Sequence, residues 1–467
     1  MVLSPSMPRA SQRGRPFQPA VPWSILAATL ASGLLSLSLC WPLGCPEALA
    51  AATAAKPVEA VTAVRFGYLL DGKGGAIPDA VVVIRGDRIV AAGPKARTPI
   101  PSDASVVDCT RLTGIPGMID VHTHMTYYWD GTPGTNPWQQ LGNRSSSETV
   151  FLAQENARKT LETGVTSVRD LGSLEYADIA MRNLINCGAM VGPRMFVCGW
   201  GLHTNFQPYR PGYQEPDGGL ANGVPDVLRV VRENIAAGAD VIKMFGSTGS
   251  GEDVTGDETF TFEEMKAAVD AARARGRRVA IHSYGPVGAR DAVRAGATSI
   301  EHATDLDDAT LHEMARRGTF YVPTVDHNRY YAEHAAIFGY DSTAVAGLNR
   351  YRERNLATLR RALKAHVRIA MGSDAVFTMF GENTRELEWL VKAGMTPTQA
   401  LATATESGAA LLGKEKELGA VAPGYFADLV GVEGDPRADI RAVTAGVRWV
   451  MKGGKVVVDR RDGTASR

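Results

Sequence analysis

The sequence is poor in cysteine and carries no excess of charge of either sign. It has five cysteines in 467 residues, and only Cys109, Cys187 and Cys198 lie beyond the first fifty. These are too few for a disulfide framework and are not spaced like a zinc knuckle, so we interpret them as core residues with room for one bridge. Fifty basic side chains balance fifty acidic ones, which leaves no global basic surface for nucleic acid.

Two phosphate-binding signatures are also missing. No G-x-G-x-x-G follows the first buried strand, which disfavours a dinucleotide-binding, doubly wound sheet. The Gly- and Ser-rich stretch 246–256 is not followed by G-K-[ST], so it does not predict a phosphate cradle.

The first fifty residues have the order of a secretory signal. Three arginines precede the apolar run 23–41, and Ala-Leu-Ala follows at 48–50. We therefore predict a signal peptide over 1–50, a linker over 51–62, and an exported protein, periplasmic or secreted. Two alternatives stay open: a retained anchor helix, since ~20 apolar residues span a bilayer, or a lipid anchor at Cys40 or Cys45.

The two ends of the remaining chain are rich in short strand patterns. Residues 63–115 and 413–460 both alternate β-branched runs with Gly-rich turns, as in the "KGG" between two such runs near the C-terminus. We predict that these two segments pair into one small β-sandwich. The middle, 116–412, would then be a single inserted domain.

This middle segment alternates apolar runs with amphipathic helical stretches. The eight runs cover 116–122, 164–170, 194–199, 239–245, 278–282, 298–302, 319–324 and 368–374. One helical stretch, 262–276, places Met265, Ala268, Val269 and Ala272 on one stripe and stops at Gly276. Eight strands alternating with helices over ~300 residues predict an α/β fold, a (β/α)8 TIM barrel. A doubly wound sheet is the alternative.

Chemically useful side chains stand at the ends of four of these runs. His122 and His124 are two apart, so on a strand they share a face, and two imidazoles so placed can chelate a divalent cation. His282, His302 and Asp374 end later runs. Because active sites of such barrels lie at the carboxyl ends of the strands, we expect these side chains to converge on a metal site.

Lys243 stands inside an apolar run, at the end of the fourth strand. A buried ammonium is costly unless paired, and burial lowers the pKa of a lysine toward a neutral, nucleophilic amine. Such an amine can take up carbon dioxide to form a carbamate, whose two oxygens can bridge two metals. The alternative is a lysine paired with a carboxylate at the mouth of the barrel.

The full set, H-x-H, Lys, His, His and Asp on strands one, four, five, six and eight, resembles the amidohydrolase superfamily. More narrowly it is similar to the exported binuclear-metal carboxypeptidase/dipeptidase group, with its Xaa-Pro dipeptidase-like, imidazolonepropionase-like and ochratoxinase-like members. The likeness covers about 60–460 and includes "GVTSVRDLG", "GPRMFVCG", "ADVIKMFGSTG" and "PGYFADLV".

The resemblance implies two divalent metal ions, with zinc as the expected ion. His122, His124 and Asp374 would hold the more buried one and His282 with His302 the second, bridged by carboxylated Lys243 and a hydroxide. Asp374 would also move the proton from the attacking water to the leaving amine. Tyr284, two residues after His282, would contact the substrate carbonyl or its oxyanion.

The implied reaction is hydrolysis of a carbon–nitrogen bond in a dipeptide or N-acyl amino acid. Aromatic residues in the strand-to-helix loops favour an apolar or ring-bearing side chain. His203 could contact the substrate, and Arg210 and Arg329 could clamp its carboxylate, although loop arginines are more often solvated. Deaminase or cyclic-amidase chemistry and a non-catalytic binding protein are the alternatives. We expect no nucleic acid and no stable membrane insertion after signal cleavage, and a homo-oligomer stays open.

Overall fold

The computed structural model describes residues 59–206, 217–248 and 257–462. The predicted signal peptide, residues 51–58 of the predicted linker and Arg210 lie outside these ranges. Among the described residues, no helix combines the length and apolar character needed to cross a bilayer.

Strands and helices alternate through most of the described chain. The strands are β1 (Val61–Leu70), β2 (Ala76–Arg85), β3 (Arg88–Pro94), β4 (Ser105–Pro116), β5 (Met118–Thr123), β6 (Val165–Asp170), β7 (Arg194–Val197), β8 (Val241–Phe245), β9 (Arg278–Ser283), β10 (Ser299–His302), β11 (Phe320–Val322), β12 (Arg368–Ile369), β13 (Leu429–Val432), β14 (Val447–Lys452) and β15 (Lys455–Asp459). The helices are α1 (Pro137–Asn143), α2 (Ser146–Glu162), α3 (Ala177–Asn186), α4 (Val224–Ala237), α5 (Phe262–Arg273), α6 (Pro286–Ala295), α7 (Asp308–Arg317), α8 (Val325–Glu333), α9 (Ala335–Phe338), α10 (Ser342–Lys364), α11 (Glu386–Ala393), α12 (Pro397–Thr403), α13 (Glu406–Leu412) and α14 (Arg441–Thr444).

Strands from both chain ends lie in one seven-stranded sheet, in the order β15-β14-β13-β4-β1-β2-β3. β4 joins the two ends: it pairs with β1 in parallel and with β13 antiparallel, where Leu429 faces Pro116. Trp449, 0% exposed, packs edge-on against Phe66 in the core on this sheet. A β-sandwich consists of two packed sheets, whereas these strands form a single sheet. The sandwich expected from the sequence therefore stays a prediction.

The middle of the chain contains two parallel sheets in sequence order, β5-β6-β7 and β8-β9-β10-β11-β12. Backbone hydrogen bonds link their edges. The amide of Leu202 donates to the carbonyl of Lys243 at 2.9 Å, next to β7 and β8, and Val121 donates to Met371 at 3.0 Å, next to β5 and β12. Carboxyl ends of parallel strands meet at one edge of a sheet, and the predicted site residues stand at these ends.

The predicted helix over 262–276 is confirmed as α5, which ends three residues earlier. Its N-terminus is closed by a capping box between Thr261 and Glu264, which satisfies two backbone amides. The expected apolar stripe is buried: Met265, Ala268, Val269 and Ala272. The helix ends at Arg273, and Gly276, with φ of +67°, turns the chain toward β9.

Two sequence interpretations need correction. Cys187 is exposed rather than part of the core, whereas Cys109 and Cys198 are buried, and all three are free thiols. The eighth apolar run, 368–374, is regular strand only over Arg368–Ile369. Its remaining residues lie outside regular strand, and the last of them, Asp374, has a positive φ of +53°.

Candidate metal centre

His122 lies on β5 and His124 directly follows its last residue, and both side chains face one carboxylate. All six residues of β5 are buried, and His122 is 0% and His124 8% exposed. Their ring centroids are 5.5 Å apart. The Nε2 atom of His124 lies 3.1 Å from Oδ1 of Asp374, and that of His122 lies 3.5 Å from the same oxygen.

Asp374 lies in a segment that is hydrogen-bonded to β5. Its backbone amide donates to the carbonyl of His122 at 2.7 Å. The fully buried carboxylate of Asp120 accepts from the amide of Ser373 at 2.9 Å, from its hydroxyl at 2.5 Å and from the side-chain amide of Asn383 at 3.0 Å. A non-glycine residue with positive φ costs on the order of 1–3 kcal/mol, and these bonds offset that cost and aim the carboxylate at the imidazoles.

His282 and His302 form the opposite side of the centre, at the ends of β9 and β10. Their ring centroids are 4.5 Å apart, and His302 lies 5.0 Å from His122. Tyr284 stacks on His302 at 4.9 Å with an interplanar angle of 9°. The Nδ1 atom of His302 is 2.7 Å from the hydroxyl of Thr324.

Lys243 is buried on β8. In the sequence this strand comes after β5, which carries His122, and before β9 and β10, which carry His282 and His302. The side chain is 1% exposed, and its ammonium lies 5.2 Å from the ring centroid of Phe245. Among the described residues, no hydrogen bond to this nitrogen and no carboxylate within 4 Å of it is found. The predicted alternative, a lysine paired with a carboxylate, therefore has no support in the described part of the chain.

Burial shifts the pKa values of this cluster toward neutral ligands. It lowers the pKa of His122 to about 4, helped by the charge of nearby Lys243, and lowers the pKa values of His282 and His302 well below the ordinary range. Burial also lowers the pKa of Lys243. Burial alone would raise the pKa of Asp374, but the surrounding imidazoles outweigh it and lower that pKa. These shifts favour neutral imidazoles at His122, His282 and His302 and an ionised carboxylate at Asp374.

These donors fit a divalent metal. One ligand atom each of His122, His302 and Asp374 lie within 4.8 Å of one another. The buried Nε2 of His122 has no hydrogen-bond partner among the described residues. Imidazole nitrogens and a carboxylate oxygen are ligands that zinc and similar ions prefer. An unmodified lysine ammonium cannot ligate a cation, so Lys243 fits only as a deprotonated or carboxylated group.

Four residues of the centre were missed by the sequence analysis. Glu301, 0% exposed, lies with Oε2 2.9 Å from Nδ1 of His122, and the Arg169 guanidinium donates to its other oxygen at 2.8 Å. His327, on α8, lies with Nε2 3.2 Å from Oδ2 of Asp374, and Thr324 contacts His302. Glu301 and Arg169 carried the same signal as Lys243, a charge inside an apolar strand run.

Two of the residues predicted to contact the substrate, His203 and Arg329, lie in the described part of the chain. His203 is 3% exposed, just after β7, with Nδ1 3.2 Å from the carbonyl of Gly201. The Arg329 guanidinium is buried against three carboxylates, those of Asp326, Glu333 and Glu382. Its donors are committed within the protein, so the proposed carboxylate clamp stays an untested prediction that this geometry disfavours.

Comparisons with known proteins identify the family to which this chain belongs. The family model described as "Amidohydrolase family" matches residues 113–457. Ochratoxinase of Aspergillus niger is 30% identical over 428 residues, which cover 85% of this chain and 86% of the relative. Imidazolonepropionase of Streptomyces coelicolor is 26% identical over 385 residues, which cover 76% and 85%. A crystal structure of a Xaa-Pro dipeptidase with bound methionine in the active site superposes with a TM-score of 0.76 at 30% identity, over 85% of this chain and 99% of that one.

The chain belongs to the amidohydrolase family. It is a hydrolase that acts on carbon–nitrogen bonds of small molecules, as its sequence motifs indicated.

Proposed function

We propose that this enzyme is a binuclear-metal hydrolase that cleaves the amide bond of dipeptides or N-acyl amino acids. The observation that carries the proposal is the convergence of His122, His124 and His302 on Asp374, with Lys243 buried nearby and its amine unpaired among the described residues. The names of the relatives, ochratoxinase and Xaa-Pro dipeptidase, support amide hydrolysis.

The ligands divide between two metal positions. His122, His124 and Asp374 would hold one ion, and His282 and His302 the other. Lys243 would bridge them after its neutral amine adds to carbon dioxide and loses a proton, which leaves a carbamate. Divalent ions, for which we expect zinc, supply Lewis acidity that makes water easier to deprotonate and a carbonyl more electrophilic.

The residues of the chain then carry the proton. Asp374 accepts a proton from the attacking water and passes it to the nitrogen of the leaving amine. Its oxygens lie within 3.5 Å of the Nε2 atoms of His122, His124 and His327, which places the carboxylate at the centre. The Tyr284 side chain, held by stacking on His302, donates to the oxygen of the scissile carbonyl as negative charge develops there.

Aromatic residues next to His124 support a ring-bearing or apolar substrate side chain. Tyr127 stacks on His124 at 4.6 Å and on Phe377 at 6.1 Å, and Trp138 meets Phe377 edge-on at 5.1 Å. We keep His203, Arg210 and Arg329 as candidate substrate contacts, with Arg329 the weakest for the reason given above.

The architecture proposed for this function is a closed (β/α)8 barrel over 116–412. A domain built from both chain ends, 63–115 and 413–460, would stand beside it. The eight parallel strands and the hydrogen bonds between the edges of their two sheets support closure. We further propose export, with a signal over 1–50 that is removed. Sequencing the N-terminus of the mature protein tests this, and an intact Met1 would contradict it.

Metal analysis combined with a substrate screen tests the proposed function. We expect about two zinc-type ions per chain and release of a free amino acid from N-acyl amino acids or dipeptides varied at the C-terminal residue. The imidazolonepropionase relative favours a second candidate, cyclic-amide hydrolysis. Ring opening with no released amino acid would select that candidate, and ammonia as the sole nitrogen product would select a deaminase.

A further inference from the structure

A buried ion pair lies directly behind His122. The Arg169 guanidinium, 1% exposed, crosses from β6 and donates to Oε1 of Glu301 at 2.8 Å and to the hydroxyl of Ser299 at 2.8 Å. Its Nε also donates to the carbonyl of Val121 at 2.5 Å, next to His122 in β5. Three strands, β5, β6 and β10, therefore meet at one fully buried carboxylate.

The free oxygen of this carboxylate sets the orientation of the His122 ring. Oε2 of Glu301 lies 2.9 Å from Nδ1 of His122. An ionised carboxylate only accepts hydrogen bonds, so Nδ1 carries the hydrogen and Nε2 keeps its lone pair. That Nε2 has no hydrogen-bond partner among the described residues and faces Asp374.

Two of the other imidazoles, His124 and His302, have neutral hydrogen-bond partners at Nδ1. Nδ1 of His124 lies 3.4 Å from the carbonyl of Gly172. Nδ1 of His302 lies 2.7 Å from the hydroxyl of Thr324, which itself donates to the carbonyl of Pro323 at 2.8 Å. Oδ2 of Asp374 is 3.9 Å from Nδ1 of His302, beyond hydrogen-bond distance, so among these three rings only His122 has a carboxylate hydrogen-bonded to Nδ1. A carboxylate partner makes an imidazole more basic and a stronger metal ligand than a neutral acceptor does.

We propose that Glu301 is a positioning residue that makes the His122 side the tighter of the two metal positions, and that Arg169 holds Glu301 in place. The proposal rests on the metal-dependent function proposed above. It attributes the difference in metal affinity between the two positions to Glu301, a residue that would contact neither the metals nor the substrate.

The test measures zinc binding to the full chain by competition with a chromophoric chelator, in wild type and in Glu301→Gln. We expect the tighter binding step to weaken by about 10- to 100-fold in E301Q and the weaker step to change less. The cobalt-substituted protein should show a changed visible absorption spectrum at saturating cobalt, because the ring orientation changes.

Two further variants separate positioning from stability. E301Q leaves Arg169 buried without its partner and could lower Tm sharply, whereas the double variant Arg169→Met with Glu301→Gln removes both charges and should regain Tm. Zinc affinity should remain weakened in the double variant. Asp428→Asn is the matched control, since Asp428 is a buried carboxylate 3.6 Å from Arg194 with no described imidazole partner, and its zinc affinity should equal that of wild type.

The outcomes are distinguishable. Wild type that takes up no zinc or cobalt would overturn the proposed function. Wild type with two ions whose tighter step is unchanged in E301Q, or is restored together with Tm in the double variant, would overturn the positioning role of Glu301 alone.

Discussion

Different interactions hold His122 and His302, the two sides of the candidate metal centre, in place. Behind His122 lies the fully buried pair of Glu301 and Arg169, whose geometry is fixed by charge. Behind His302 lies the neutral hydroxyl of Thr324, and the ring of Tyr284 covers its face. A charged contact in a dry interior is strong and costly to disturb, whereas a neutral one is weaker and easier to replace. We therefore expect the two sides to respond differently to substitution.

Removing the carboxylate common to both sides should have the largest effect. Asp374→Asn keeps an oxygen ligand but cannot take up the proton, so we expect turnover to fall about 10³-fold or more while metal content stays near that of wild type. Amide-hydrolysis kinetics and elemental analysis measure the two quantities. Asp428→Asn serves as the control, and near-normal turnover in D374N would contradict the proton-transfer role.

Lys243→Met should break the link between the two sides. Without the amine no carbamate forms, so we expect metal content to drop from about two ions to one or fewer, with a loss of turnover of about 10²- to 10³-fold. Added bicarbonate should speed metal uptake by wild type and have no effect on the variant. Lys452→Met is the matched control, because burial lowers the pKa of Lys452 to about 8 but the residue lies on β14, in the terminal sheet. Equal metal content in K243M and wild type would contradict the bridge.

Tyr284→Phe tests whether the His302 side acts on the substrate. If its hydroxyl stabilises the oxyanion, kcat should fall by about 10²-fold while KM and zinc affinity change little. Tyr425→Phe removes a buried hydroxyl that donates to the carbonyl of Glu415, away from the centre, and should leave kcat unchanged. A change in KM alone would assign Tyr284 to substrate binding instead.

The smallest effect is expected for Thr324→Val. This change removes the neutral acceptor behind His302, so the weaker zinc-binding step should lose only about 2- to 10-fold in affinity. The tighter step should not move, which is the reverse of the pattern expected for E301Q. Thr403→Val, which removes another buried hydroxyl bonded to a carbonyl, is the control. If T324V and E301Q weakened the same step equally, the distinction between the two sides would be wrong.

Much of the fold and the family could be predicted from the sequence because both depend on local patterns. Strand runs that ended in His122, His282 and His302 indicated where the site lies, since parallel strands bring their carboxyl ends together. The partners of these residues could not be found in this way. Glu301 meets His122 across 179 positions, and no pattern in either run specifies which imidazole a buried carboxylate will face.

Arg329 shows that a local sequence pattern can also suggest a role that the contacts in the structure disfavour. Its place in an aromatic-rich loop suggested a substrate clamp, but its charge is satisfied by Asp326, Glu333 and Glu382. A guanidinium binds whichever carboxylates the fold brings near it, and those of Asp326 and Glu382 lie on different parts of the chain.

The sequence alone predicted the alternation of strands and helices, because periodicity is a property of neighbouring residues, and its motifs indicated the family and the candidate ligands. Only the tertiary structure decided which partners the Nδ1 atoms of His122 and His302 have. That choice depends on hydrogen bonds between strands far apart in the chain, such as those of Glu301 with His122 and of Thr324 with His302, and on burial that excludes water as a competing partner.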